Sequence, residues 1–198
     1  MTLKIRRTKK VNKTIEINLK RRTVIVDDKL IYHKNIPIPS WIELSIIDVC
    51  NRFCVFCPKS DPSVAPNTFQ QMEQELIDKL SSDLSRIKFQ GSVVLCGYGE
   101  PMLHKNVNQI VKTLAKVCFV EIVTNGDKLK PVLIKDLYSI GLSQLVVSMY
   151  DGPEQIEHFN SLFKDCEIDT SLYTLRDRWY DENEDYGLIG SLADKKNC

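Results

Sequence analysis

From Trp41 onward one pattern repeats. A short apolar or β-branched run is followed by a loop rich in glycine, cysteine or asparagine, then by apolar residues at helical spacing. Such alternation implies βα units and a parallel sheet. It predicts strands at residues 41–49, 92–96, 119–124 and 144–149, with a weaker fifth at 168–175. A helix is predicted at 68–84, with Phe69, Met72, Leu76, Ile77 and Leu80 on one face and a capping box of Asn67 and Gln70. The next, 106–116, aligns Val107, Ile110, Val111 and Leu114. A third opens at Pro131 and closes at Gly141, and a fourth opens at Pro153 with Ile156, Phe159, Leu162 and Phe163 facing inward.

The chain has 198 residues, 43% of them apolar, which suits one domain with a real core. Residues 14–33 alternate in the manner of a β-hairpin with a polar turn at Asp27-Asp28. The expected organisation is a basic β-hairpin extension at 1–40, a core at 41–176 and an acidic, irregular tail at 177–198. Residues 1–40 hold eleven Lys/Arg against three Asp/Glu, and residues 151–198 hold five against twelve, yet the net charge is only +1. A basic head and an acidic tail suit opposite partners or each other, with solvated surface charge and some mutual attraction the plainer reading, and nothing specific to nucleic acid stands out. The polar, basic opening at 1–13 lacks the apolar stretch of a signal peptide, and no run approaches the roughly 18 apolar residues of a membrane helix. The expectation is a cytoplasmic protein with reduced thiols, where clustered cysteines point to metal rather than disulfides. Cys96, Cys118 and Cys166 stand alone in apolar surroundings and read as small buried hydrophobes.

The residues with chemical potential fall in one kind of place. Cys50, Cys54 and Cys57 follow strand one, and Gly97-Tyr98-Gly99-Glu100-Pro101 follows strand two. Thr124-Asn125-Gly126 follows strand three, and Ser148-Met149-Tyr150-Asp151-Gly152 spans the end of strand four. The carboxyl ends of parallel strands form one rim, where sites are built from loops.

Three cysteines within eight residues, with Asn51 and Arg52 between them, are poorly placed for a core. Three thiolates can hold three irons of a cubane cluster and leave the fourth open for chemistry, whereas four favour electron transfer. Zinc is the rival, with Cys198 or a histidine as the fourth ligand of a tetrahedral site.

The run Cys-Asn-Arg-Phe-Cys-Val-Phe-Cys, with Phe56 just before the last cysteine, resembles the signature of the radical S-adenosylmethionine (SAM) enzymes. The resemblance covers about residues 41–176. It implies an α/β fold, a partial (β/α) barrel of the radical SAM type preceded by the β-hairpin extension. It also implies a [4Fe–4S] cluster on Cys50, Cys54 and Cys57, with SAM chelating the free iron. One electron then cleaves SAM and releases a 5′-deoxyadenosyl radical that abstracts hydrogen from a substrate.

By the same resemblance Phe56 lies over the adenine, while Tyr98, Gly99 and Glu100 stand for the glycine-glycine-glutamate motif that receives the ammonium of SAM. Tyr98 replaces the first glycine of the commonest form. Asn125 is expected near the ribose or substrate and Ser148 at the ribose, with His104 orienting the loop after Glu100. Arg176 and Arg178 are open to two roles, holding a carboxylate of SAM or substrate, or pairing with nearby acidic residues. A flavodoxin or ferredoxin is implied as electron donor.

Relatives with a cysteine-rich auxiliary-cluster domain suggest a peptide or protein substrate. They also make Cys198 the expected first ligand of such a domain, so that the chain reads as a natural short form, a fragment or one half of a split protein. A non-catalytic scaffold completed by a partner is the alternative, and a metal-binding module without SAM a further one.

Overall fold

The structure is a computed structural model that describes residues 30–54 and 56–178. The hairpin expected at 14–33, with its turn at Asp27-Asp28, lies almost wholly outside the described residues, as does the tail from residue 179. The described hairpin is a different one. Strands β1 (Ile31–His33) and β2 (Ile36–Ile38) pair antiparallel through Lys34 and Asn35, both at positive φ, as a tight two-residue turn demands.

The main sheet is parallel. It holds β3 (Trp41–Leu44), β4 (Ser92–Leu95), β5 (Phe119–Thr124), β6 (Gln144–Met149) and β7 (Tyr173–Asp177), in the order β3-β4-β5-β6-β7. Helices α1 (Gln74–Arg86), α2 (Val107–Leu114), α3 (Pro131–Ser139) and α4 (Glu154–Asp165) make the crossovers. Because strand order follows chain order, each right-handed crossover steps the same way and the helices gather on one face. Consecutive helices therefore pack side by side, α1 on α2, α2 on α3 and α3 on α4. This is the winding of a partial (β/α) barrel, since a doubly wound sheet reverses its order.

Strand periodicity then sorts the side chains. Val93, Leu95, Val120, Ile122, Leu145, Val147 and Met149 enter the hydrophobic core with Ile77, Ile110, Leu114, Ile134, Leu137 and Phe163 of the helices. The alternate residues face the other side, and among them Glu43, Val94, Val123, Ser148 and Arg176 line a cavity. Glu121, which shares that parity, is fully buried.

The expected start of the first helix is corrected. Residues 67–72 pair with the continuation of β3, with Met72 N donating to Ile46 O at 2.8 Å and Asp48 N to Gln70 O at 3.2 Å. Phe69 adopts φ +61°. A helix from residue 68 would forfeit those bonds, so α1 begins at Gln74 and no capping box forms at Asn67. Phe69 and Leu76 are accordingly exposed, as is Ile156 near the start of α4. The fifth strand runs later than expected, because Asp169 accepts from Ser171 N and starts a short 3-10 turn over Thr170–Leu172. No helix among the described residues is long and apolar enough to cross a membrane.

Candidate functional site

The carboxyl ends of all five strands surround an open cavity of about 320 Å³. Cys50, Cys54, Phe56 and Cys57 reach it from the loop after β3, and Tyr98, Gly99 and Glu100 from the loop after β4. Asn125 follows β5, Ser148 is the last residue but one of β6, and Arg176 and Arg178 come from β7 and the residue beyond it. Cys50, Cys54, Phe56, Cys57, Tyr98, Gly99, Glu100, Asn125 and Ser148 thus border one space, while Cys198 lies outside the described residues. Cys96 borders it as well and is only half-buried, which corrects its reading as a core thiol. Cys166 is buried, and burial lifts the half-buried Cys118 thiol to about 11.

The cysteine loop is tied down on both sides. Asn67 Oδ1 accepts from Cys50 N at 3.4 Å, so the residue expected to cap a helix instead anchors the first cysteine. Beyond Cys57 the buried Lys59 donates to Pro66 O at 2.7 Å and lies 3.8 Å from Asp48. Asp48 in turn accepts from the hydroxyl and backbone N–H of Thr68. Gly99 packs so closely on this segment that a Cβ would run into the Ile47 carbonyl. Glu100 N donates to Val49 O at 2.8 Å beside it. Tyr98 borders the cavity and is largely exposed.

Glu100 is 3% exposed, and three donors converge on its two oxygens. Oε1 accepts from Thr124 Oγ1 at 2.6 Å and Met102 N at 3.0 Å, and Oε2 from Asn125 N at 2.8 Å. Of the roughly four acceptor positions of a carboxylate, one remains for a ligand donor. Burial pushes the Glu100 carboxyl up, against the pull of those three bonds. His104 is neutral by geometry. Its Nδ1 accepts from Asn106 N at 3.1 Å, which leaves Nε2–H to donate to Met72 O at 3.1 Å, and burial holds its pKa down.

Arg176 is buried and donates to Ser148 Oγ at 2.6 Å, so the two β7 and β6 residues share one hydrogen bond at the cavity wall. Tyr150 stacks on Phe56 with ring centroids 6.0 Å apart. Burial pushes the Tyr150 phenol up, with Cys54 adding to the rise and Arg178, Arg176 and the Ser148 hydroxyl opposing it.

Cys50, Cys54 and Cys57 are free thiols. Burial pushes Cys50 up, and nearby negative charge on Glu100 and Cys57 adds to that, while Arg52 N–H donates to its sulfur at 3.4 Å. Among the described residues the thiols are not gathered around a single point. Three free thiols on one wall, held by a pinned loop and facing an open cavity, suit a multi-metal cluster that must also admit a ligand. A bound cation reverses the sign of the local electrostatics and favours the thiolates.

Some site residues were not legible beforehand. Thr124 and Tyr150 were visible only as neighbours of Asn125 and Ser148. Arg52 forms two-pronged ion pairs with Asp127 and Asp151, which are 75 and 99 positions away in sequence.

A family model described as the radical SAM superfamily matches residues 44–161, more than half of the chain. The chain belongs to the radical SAM superfamily. Members of this superfamily bind a [4Fe–4S] cluster and SAM.

Among similar proteins is the S-adenosyl-L-methionine-dependent 2-deoxy-scyllo-inosamine dehydrogenase of Niallia circulans. It is 32% identical over 116 residues, covering 57% of this chain and 46% of that protein. GTP 3′,8-cyclase of Clostridium acetobutylicum is 27% identical over 144 residues, covering 67% of this chain and 43% of that one. The crystal structure of BtrN in complex with AdoMet and 2-DOIA superposes with a TM-score of 0.60 at 25% identity, covering 71% of this chain and 57% of BtrN. The radical SAM chain described here thus spans less than half the length of these curated relatives.

Proposed function

We propose that residues 41–176 form the catalytic core of a radical SAM enzyme. In this reading Cys50, Cys54 and Cys57 hold a [4Fe–4S] cluster, and SAM lies beside it against Phe56, Gly99, Glu100, Asn125 and Ser148. The observation that carries the reading is that three free thiols and these cofactor-side residues border one cavity at the carboxyl ends of five parallel strands. Cluster and SAM together supply one-electron cleavage to a 5′-deoxyadenosyl radical, for hydrogen abstraction from a substrate.

The chain's own residues do the holding. The last acceptor position of Glu100 takes an ammonium hydrogen. Ser148, accepting from Arg176 and lying against the Tyr150 phenol, sets a hydroxyl at the cavity wall beside a ribose or substrate oxygen. Phe56, backed by Tyr150, offers a flat apolar face to a base. Arg176 and Arg178 supply positive charge at the rim for a carboxylate of SAM or substrate. A peptide or protein substrate and a flavodoxin- or ferredoxin-type electron donor complete the proposal.

Anaerobic reconstitution with iron and sulfide tests the ligand set. About four irons per chain and a brown colour are expected, both lost when the three cysteines become alanine. Tight zinc and no iron in anaerobically purified protein would overturn the reading in favour of a simple metal module.

A further inference from the structure

The sequence marked Arg52 only as a polar residue between two cysteines, and the proposed cofactor chemistry does not use it. Its side chain is 14% exposed and engages two carboxylates at once. Nε and Nη2 donate to Asp127 at 2.8 and 2.6 Å, while Nη1 and Nη2 donate to Asp151 at 2.7 Å each. The guanidinium carbon lies 5.4 Å from the centroid of the Tyr150 ring, which stacks on Phe56. Beside it Asn51 donates to Asp127 at 2.6 Å, and Asn125 donates to Asn51 at 2.9 Å.

We infer that Arg52 is a positioning residue, a clamp that fixes the cysteine loop to the loops after β5 and β6. The inference rests on the cysteines being the cluster ligands. Isolated surface ion pairs contribute little, because solvent screens them and two flexible side chains must be ordered. This one differs at the cation and in its geometry, although the Asp151 carboxylate is about half exposed. The cation is largely buried, both contacts are two-pronged forks that fix angle as well as distance, and a ring covers one face of the guanidinium.

The charge count sharpens the point. One guanidinium bridges two carboxylates, so its removal takes away the positive charge that Asp127 and Asp151 share. The two loops then repel, and the cysteine loop loses its shared support. Cys50 and Cys54 flank Arg52, so a shift of the clamp is transmitted directly to two of the three thiols.

The test begins with iron-free protein, where its outcome does not depend on cluster binding. Amide hydrogen exchange is compared for the wild type, Arg52→Gln, Arg52→Lys, Asp127→Asn and the Arg52→Gln/Asp127→Asn pair. Arg52→Gln is expected to raise exchange in residues 50–54 by about tenfold or more, with α2 and α3 unchanged. Arg52→Lys, a point charge without a fork, should fall between it and the wild type, and it stands in if the glutamine variant fails to fold.

Asp127→Asn should cost less in the Arg52→Gln background than alone, because it relieves the bare carboxylate pair. In reconstituted protein Arg52→Gln should still take up iron. It should lose that iron to a chelator several-fold faster and broaden the electron paramagnetic resonance of the reduced cluster.

Unchanged exchange at residues 50–54, equal acceleration throughout the protein, or strictly additive effects of Arg52 and Asp127 would each overturn the clamp. Failure of the wild type to bind iron would overturn the proposed function instead, and the exchange data would still decide whether Arg52 holds the loop.

Discussion

Replacing Glu100 by Gln changes one atom, and the consequence can be worked from its partners. Thr124 Oγ1 and Met102 N meet Oε1, and Asn125 N meets Oε2. A glutamine has one oxygen, so its NH2 must confront at least one of these donors. In the better orientation the amide oxygen keeps Thr124 and Met102, and the NH2 faces the Asn125 N–H. Thr124 cannot readily turn away, because its hydroxyl oxygen already accepts from Gly126 N at 3.1 Å.

A hydrogen bond to a charged acceptor contributes about 1.5–3 kcal/mol, and a stranded buried donor costs a similar amount. The easier burial of a neutral side chain offsets part of that. A net loss of about 1–3 kcal/mol is expected, or roughly 2–4 °C of melting temperature per kcal/mol for a chain of this size. Thermal unfolding of iron-free wild type and Glu100→Gln measures it, and equilibrium dialysis of the loaded proteins then measures SAM binding, expected to weaken about ten- to a hundred-fold. A variant as stable as the wild type would show that the three convergent bonds do not hold the site. Unchanged SAM affinity would remove Glu100 from the cofactor contacts.

Three further outcomes follow from single positions. Gly126 has φ +85°, and a Cβ there would lie 2.6 Å from the Phe159 ring, so Gly126→Ala should destabilise by about 1–3 kcal/mol in urea unfolding. His104 has its folded pKa held below the ordinary 6.5 by burial, so the unfolded chain binds the proton more readily. Its contribution is therefore complete above pH 6.5 and lost as pH falls through the folded value. Unfolding midpoints at stepped pH should show that loss, and His104→Gln should flatten it. Asn67→Ala should raise amide exchange at Cys50, whose N–H would lose its side-chain acceptor, and leave α1 untouched because Asn67 caps no helix.

What was legible in the sequence follows from how local each signal is. Strands β5 and β6 match the expected 119–124 and 144–149 because mostly buried, largely apolar runs between turn residues leave little choice of boundary. The convergence of the strand-end motifs was legible too, since parallel topology alone brings those ends together. Residues 67–72 were misread because helical spacing there competes with backbone pairing to Ile46–Asp48, a contact some twenty residues away that no local pattern reveals. Arg52, Asp127 and Asp151 escaped for the same reason. Each is an ordinary charged loop residue until the fold brings three strand ends together. The three donors around Glu100 were equally hidden, and they turn a residue read only as a ligand contact into one that also secures two loops.

The central claim is that the cysteine triad and the residues around Glu100 form one cofactor site. The most direct measurement is the electron paramagnetic resonance spectrum of the reconstituted, reduced protein, recorded with and without saturating SAM. A SAM-dependent change in the cluster signal is expected in the wild type and should be weakened in Glu100→Gln at the same SAM concentration. A cluster whose spectrum does not respond to SAM would contradict the claim.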